Sequence, residues 1–267
     1  MSSRTKESRY LIDPGYPLYN PKSNFLNDGL EGYARLFPDA NVPGHCVHIE
    51  ATPDYMYQKT ALSVLATLPT SPIVVFILRN PVDRILSLFG YASNNVGSVC
   101  GKRSARDFFI ASRDGIGSGD DIIDSAVSHS VYHHWLGKWM EIVDRSRIHI
   151  VFFEELASYP ASVMQSLCSR LRLDGSFYRN FAYTVENPTY RARSSGLTRA
   201  RRMVERHAPS LMRLGTLKTF YRAVNVRERL LVTAWDEELR SEIRQHFVAP
   251  NRQLQHLLGR NLPPGWI

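Results

Sequence analysis

Cysteine is scarce in this chain: three in 267 residues, Cys46, Cys100 and Cys168, widely spaced and with no CxxC pair. So sparse and odd a set argues against a disulfide framework or a zinc knuckle, and it reads as free thiols in a reducing compartment, small and hydrophobic in behaviour. Long apolar runs are missing as well. The longest, residues 73–78 (IVVFIL), is far short of the ~20 residues that a membrane helix needs, so no membrane span is expected. The opening MSSRTKE has no apolar stretch of the kind a secretory leader carries, and with the thiols this suggests a cytoplasmic protein. No repeat, low-complexity tract or linker interrupts the chain, so one domain over residues 1–267 is expected.

Several kinds of chemistry lack their signatures. Gly115, Gly117 and Gly119 follow no strand, so they form a loop and not a dinucleotide fingerprint. His45, Cys46 and His48 alternate in or beside a strand candidate, where successive side chains face opposite ways, which speaks against a shared metal. No Ser/His/Asp set sits on a recognisable nucleophile elbow.

What is present is an ordinary globular composition, 43% apolar and 22% charged, with a basic excess. Lysine and arginine outnumber the acids 33 to 25, a formal charge of +8 that suggests an anionic partner. The run Arg199, Arg201, Arg202 and Arg206 reads first as a solvated helix face, then as a surface for an acidic acceptor, and last as a nucleic-acid contact.

Strands and helices alternate. Residues 46–50 (CVHIE) are a short strand candidate, and residues 58–68 have helical spacing at Leu62, Leu65 and Leu68. Residues 73–78 are continuous and β-branched, the pattern of a strand buried on both faces of a parallel sheet. Helices are expected over 80–93, 122–143 and 160–171, with a strand at 148–153 (IHIVFF). From about residue 197 the signal is helical to the end. The order predicts an α/β fold, a parallel β-sheet flanked by helices with a helical C-terminal elaboration.

The informative stretch is residues 73–87, IVVFILRNPVDRILS. A strand ends at Leu78 and a helix begins at once, with Asn80 a good N-cap and Pro81 suited to the first turn. Asp83 lies where the helix dipole favours negative charge. Val82, Ile85, Leu86 and Phe89 form one apolar stripe, and Arg84 and Ser87 share a face away from it. A strand end followed by a helix N-terminus is a ready anion site, and Arg79 stands there with a guanidinium able to grip phosphate oxygens in pairs.

Residues 79–87 resemble the 3′-phosphate element R-[ND]-P-x-[DE]-R-x-x-S of sulfotransferases that use 3′-phosphoadenosine 5′-phosphosulfate (PAPS), matching every fixed position. The resemblance implies a P-loop-NTPase-like sulfotransferase fold, with Arg79 and Ser87 on the 3′-phosphate. Further segments agree in order. Residues 50–55 (EATPDY) resemble E-x-[ST]-P-x-Y, and residues 6–11 (KESRYL) resemble the K-E-x-x-[FY]-[FL] segment of carbohydrate-type members. Carried over, Glu7 is the general base that takes the acceptor's proton, with His48 and Glu50 in reserve. Residues 186–195 resemble the late basic segment that closes over the cofactor, which makes Arg191 and Arg193 cofactor-binding candidates. The C-terminal segment from Phe247 to Trp266 also resembles that of the family.

One hallmark is not found, the P-x-x-G-T-T loop that holds the 5′-phosphosulfate. The expectation is that this loop and its strand would lie upstream of Met1. The implied function is sulfuryl transfer from PAPS to a hydroxyl or amine of a small-molecule or carbohydrate acceptor, leaving 3′-phosphoadenosine 5′-phosphate (PAP), with no metal and no nucleic-acid partner. A catalytically impaired nucleotide-binding relative and a basic nucleic-acid-binding module are the alternatives.

Overall fold

A computed structural model describes residues 7–37, 47–95, 104–116, 124–184, 190–192, 196–197, 203–204, 224, 226–229 and 236–267. The chain divides into two compact units. One is drawn from Met1–Arg79, Val131–Ala182 and Pro250–Pro264, the other from Asn80–Ser130, Tyr183–Ala249 and Gly265–Ile267.

The first unit is organised on a parallel strand pair. β1 (Val74–Leu78) runs beside β2 (Ile148–Phe152), with Val74 opposite Ile148 and Leu78 opposite Phe152. Both strands form where the sequence placed them, but burial of β1 on both faces does not hold. Phe76 and Leu78 are buried while Val75 and Ile77 are exposed. Only one face is packed, with the Trp139 ring meeting Phe76 edge-on at 5.2 Å. Trp139 in turn donates its indole N–H to the Met56 carbonyl at 2.9 Å, so a buried polar atom is satisfied.

The helices of this unit are α1 (Phe25–Ala34), α2 (Lys59–Thr67), α5 (Tyr132–Ile142), α6 (Phe153–Ser158) and α7 (Pro160–Arg170). Charged residues distant in sequence cap α2 at both ends. Asp13 accepts from the Lys59 and Thr60 amides at 2.7 and 2.8 Å. At the other end Arg147 donates to the carbonyls of Leu65, Ala66 and Pro72. The signs match the helix dipole, negative at the N-terminus and positive at the C-terminus, and the bonds satisfy groups that the helix itself leaves open. Pro160 opens α7 as expected.

The second unit holds α3 (Pro81–Asn95), α4 (Ala105–Asp114) and the antiparallel pair β3 (Tyr190–Ala192) and β4 (Val226–Arg229). Val82, Ile85 and Leu86 of the expected α3 stripe are buried, and its fourth member, Phe89, is half-buried. They share the unit's core with Phe108, Phe109, Leu239, Ile243 and Phe247. The last helix, α8 (Glu237–Leu258), carries Pro250 in its interior.

Three further expectations change. Around residues 46–50 a single bridge residue, Ile49, replaces the strand among the described positions. The helix expected over 122–143 is cut by a 3₁₀ turn at Ser128–Ser130, where the Ser130 hydroxyl bonds to the Ala126 carbonyl at 2.7 Å. That side-chain bond competes with continuing helix. Within the C-terminal third, β4 is a strand, because pairing with β3 overrides the local helical preference. Cys168 is a buried free thiol, as read from the sequence; Cys46 and Cys100 lie outside the described residues. No described helix is long and apolar enough to cross a membrane.

Candidate active site

In the first unit, Arg79 follows the last residue of β1 directly. Its carbonyl accepts a hydrogen bond from the Tyr132 hydroxyl at 2.9 Å, which fixes the backbone at the strand exit. Its guanidinium lies 5.0 Å from the centre of the Phe153 ring, and Phe153 is the residue that follows β2. The cation therefore stands beyond the carboxyl ends of two parallel strands, the usual ligand position of open α/β sheets. Among the described residues no carboxylate lies within ion-pair distance of Arg79. A second arginine is placed nearby on β2: Arg260 stacks 4.4 Å over Phe152 and donates to the Ile150 carbonyl at 3.2 Å.

In the second unit, α3 starts as the sequence indicated. The Asn80 side-chain oxygen accepts from the Val82 amide at 2.9 Å, the N-cap bond. Asp83 of the first turn pairs with Arg240 at 2.9 Å. Arg84 is half-buried; its guanidinium donates to the Ala126 carbonyl at 3.0 Å and the Ser130 hydroxyl at 2.9 Å. Its role there is structural. Ser87 is half-buried on the same helix. Arg191 is described only as backbone of β3, and Arg193 lies outside the described residues. The same holds for the arginine run 199–206 apart from Met203 and Val204, and for Gly117 and Gly119; Gly115 ends α4 in the left-handed conformation.

Glu7 lines a cavity of about 760 Å³ in the first unit, together with Ser8, Arg9, Leu18, Tyr19 and Asn20. The volume lies in the range of sites for small molecules, ~300–1,000 Å³. Its carboxylate meets the Arg9 guanidinium at 3.2 Å. The neighbouring acid is differently employed. One oxygen of Glu50 accepts from the Ser8 amide at 3.3 Å, the Ser8 hydroxyl at 2.8 Å and the Thr52 hydroxyl at 2.6 Å. Since Ser8 gives its proton to Glu50, the Tyr55 hydroxyl donates to Ser8 at 3.0 Å, and Tyr55 in turn accepts from the Leu11 amide at 3.1 Å. Burial, and after it the charge of Glu50, push the Tyr55 phenol up to about 12, so it stays a donor. Glu50 is thus an anchor that ties residues 8–11 to residues 50–55, whereas Glu7 is left at the cavity. His48 is exposed against the Phe37 ring, 5.4 Å away.

No hydrogen bond or ion pair among the described residues links Glu7 to Arg79. Sequence reasoning missed Phe153 as the platform for Arg79; an aromatic residue directly after a strand end was the available signal. It also missed Arg9 as the partner of Glu7, for which a one-dimensional reading gives no signal. Among the described residues there is no group of three or more His, Cys, Asp or Glu side chains that could hold a metal ion.

Comparison with known proteins gives a consistent picture. The sulfotransferase domain family matches residues 30–213. A bifunctional heparan sulfate N-deacetylase/N-sulfotransferase 1 from Caenorhabditis briggsae is 27% identical over 154 residues, 56% of this chain and 17% of that protein. The chain therefore spans about a sixth of the length of this curated relative. A crystal structure of a sulfotransferase from Alicyclobacillus acidocaldarius superposes with a TM-score of 0.67, at 17% identity, covering 99% of this chain and 87% of that one. This likeness carries the fold, an α/β sulfotransferase architecture.

Proposed function

The chain belongs to the sulfotransferase domain family, and from that premise we propose that it moves a sulfuryl group from PAPS to a hydroxyl or amine of a carbohydrate or other small-molecule acceptor. The observation that carries this reading is the realised 79–87 segment. Its strand exit, cap and apolar stripe all form, and its leading arginine has no carboxylate partner among the described residues. A guanidinium in that state fits a phosphate dianion, which it grips through paired N–H donors.

When bound, PAPS supplies a sulfuryl group on a phosphate leaving group. Arg79 and Ser87 hold the 3′-phosphate, the first by charge and paired N–H bonds, the second by its hydroxyl. Arg191 and Arg193 are the further candidates for that phosphate, from the motif alone. Glu7 takes the proton from the acceptor as its oxygen or nitrogen bonds to sulfur. The bond between sulfur and the bridging phosphate oxygen breaks, and its electron pair leaves with PAP. A positioned carboxylate of this kind contributes about 10²–10⁴-fold to rate.

The second reading is a relative that binds nucleotide without turnover. A sulfate-transfer assay with labelled PAPS and a panel of saccharide and amine acceptors, run beside PAP calorimetry, separates the two. Transfer supports the enzyme; PAP binding without transfer supports the second reading; neither contradicts both.

A further inference from the structure

Arg9 has an uncommon backbone, with φ of 56°, the left-handed region that a residue with a Cβ seldom adopts. Neighbouring bonds hold it there. Its amide donates to the Thr52 hydroxyl at 3.2 Å, and its carbonyl accepts from the Ile12 amide at 3.4 Å. The following residues, Tyr10, Leu11 and Ile12, are all buried. The local conformation thus sends three side chains into the core while Arg9 lines the cavity beside Glu7. Strain of this kind, maintained by its surroundings, is a pointer to function.

The guanidinium is only partly used. One terminal nitrogen meets Glu7 at 3.2 Å. Nε is buried and finds no acceptor among the described residues. The other terminal nitrogen makes no hydrogen bond to a described group. Arginine's planar fork is made for two parallel bonds to one carboxylate, and here it makes a single one. The Arg9 and Glu7 side chains are 43% and 36% exposed, so exchanging this ion pair for another costs little.

Resting on the proposed function, we infer that Arg9 is an acceptor-recognition group whose ligand is a carboxylate carried by the acceptor itself. The incoming carboxylate takes the fork through two nitrogens, and Glu7, released from its ion pair, is left facing the hydroxyl or amine that is to be sulfated. Recognition and base release are one event. Tyr19 and Asn20, on the same cavity, offer hydroxyl and amide groups suited to a polyhydroxylated body.

The test uses two tetrasaccharides, one of alternating hexuronate and hexosamine and one with its carboxyls reduced to alcohols. Calorimetry measures the affinity of the full chain for each, with PAP affinity measured on the same samples. The wild type is expected to prefer the carboxylate form by tenfold or more. Arg9→Asn, which tolerates the left-handed backbone, is expected to erase that preference at unchanged PAP affinity, and Arg9→Lys to restore part of it. Equal affinity for the two sugars, no binding of either, or a preference that survives in Arg9→Asn overturns the inference. Failure of PAP to bind the wild type counts instead against the proposed function, and the carboxylate preference is read independently of it.

Discussion

The Arg79 guanidinium and the Phe153 ring stand 5.0 Å apart, each directly after a strand of the same parallel pair. The pairing follows from register: Leu78 lies opposite Phe152, so the next residue on each strand emerges at the same level. A flat aromatic face beneath a guanidinium leaves the edge of the fork, where its N–H donors lie, free for an anion. The ring acts as a platform that lowers the freedom of a long side chain before any ligand arrives. Phe153→Ala should therefore weaken PAP binding by about 2- to 5-fold, the equivalent of ~0.5–1 kcal/mol for an exposed cation–π contact, and Phe153→Tyr should preserve it. Calorimetry on the two variants checks this; equal weakening by both would contradict it.

Glu7 and Glu50 lie in neighbouring segments but should fail in different ways. Glu7→Gln keeps size and polarity and removes the base, so turnover should fall by about 10²–10⁴-fold with melting temperature and PAP affinity unchanged. Glu50→Ala removes an acceptor of three hydrogen bonds, and should cost about 2 kcal/mol of stability. Thermal melts and rates on both variants decide the matter. A destabilised Glu7→Gln with normal rate would reverse the two roles.

Arg147 is a structural residue of the same order of importance. Its guanidinium satisfies three carbonyls at and beyond the end of α2, where no helical amide remains to do so. Arg147→Ala should destabilise the protein by about 2–3 kcal/mol, and Arg147→Lys should recover only part, since one ammonium does not reproduce a planar fork. Urea unfolding measures both. A loss below about 0.5 kcal/mol in Arg147→Ala would show that water replaces the guanidinium at little cost.

Stability should fall with acidity because of His129. Burial, with the charge of Arg84 second, holds this imidazole down to about 3, against ~6.5 in an unfolded chain. The native state therefore keeps it neutral while the unfolded state gains a proton. As pH falls from about 6.5 towards 3, unfolding becomes easier by up to ~1.4 kcal/mol per pH unit. Burial lowers His133, His149 and His246 in the same direction. Urea midpoints at pH 7.5 and 5.5 should show the loss, and His129→Gln should reduce it. A midpoint that does not change between these two values would contradict the assignment.

Local signals were legible in the sequence. The 79–87 segment announced its strand exit, its Asn80 cap and its Val82–Ile85–Leu86 stripe, since each depends on residues within one or two turns. Glu7 lines a cavity, which the short motif that singles it out does not specify. What could not be read was long-range. Asp13 and Arg147 cap α2 from far along the chain, and Arg84, which by helical spacing belonged to an open face, is taken by Ala126 and Ser130. Apolar continuity likewise misled for β1, because a β-branched run records what a strand tolerates on each face and not whether both faces are covered. Arg9 needed a backbone conformation that no periodicity predicts.

PAP calorimetry on the wild type and on Arg79→Ala decides whether this guanidinium holds the nucleotide. A guanidinium that grips the 3′-phosphate through charge-assisted bonds should, on removal, weaken binding by on the order of 10²-fold, with thermal stability retained. Wild-type affinity for PAP in Arg79→Ala, or no PAP binding by the wild type, would contradict the account.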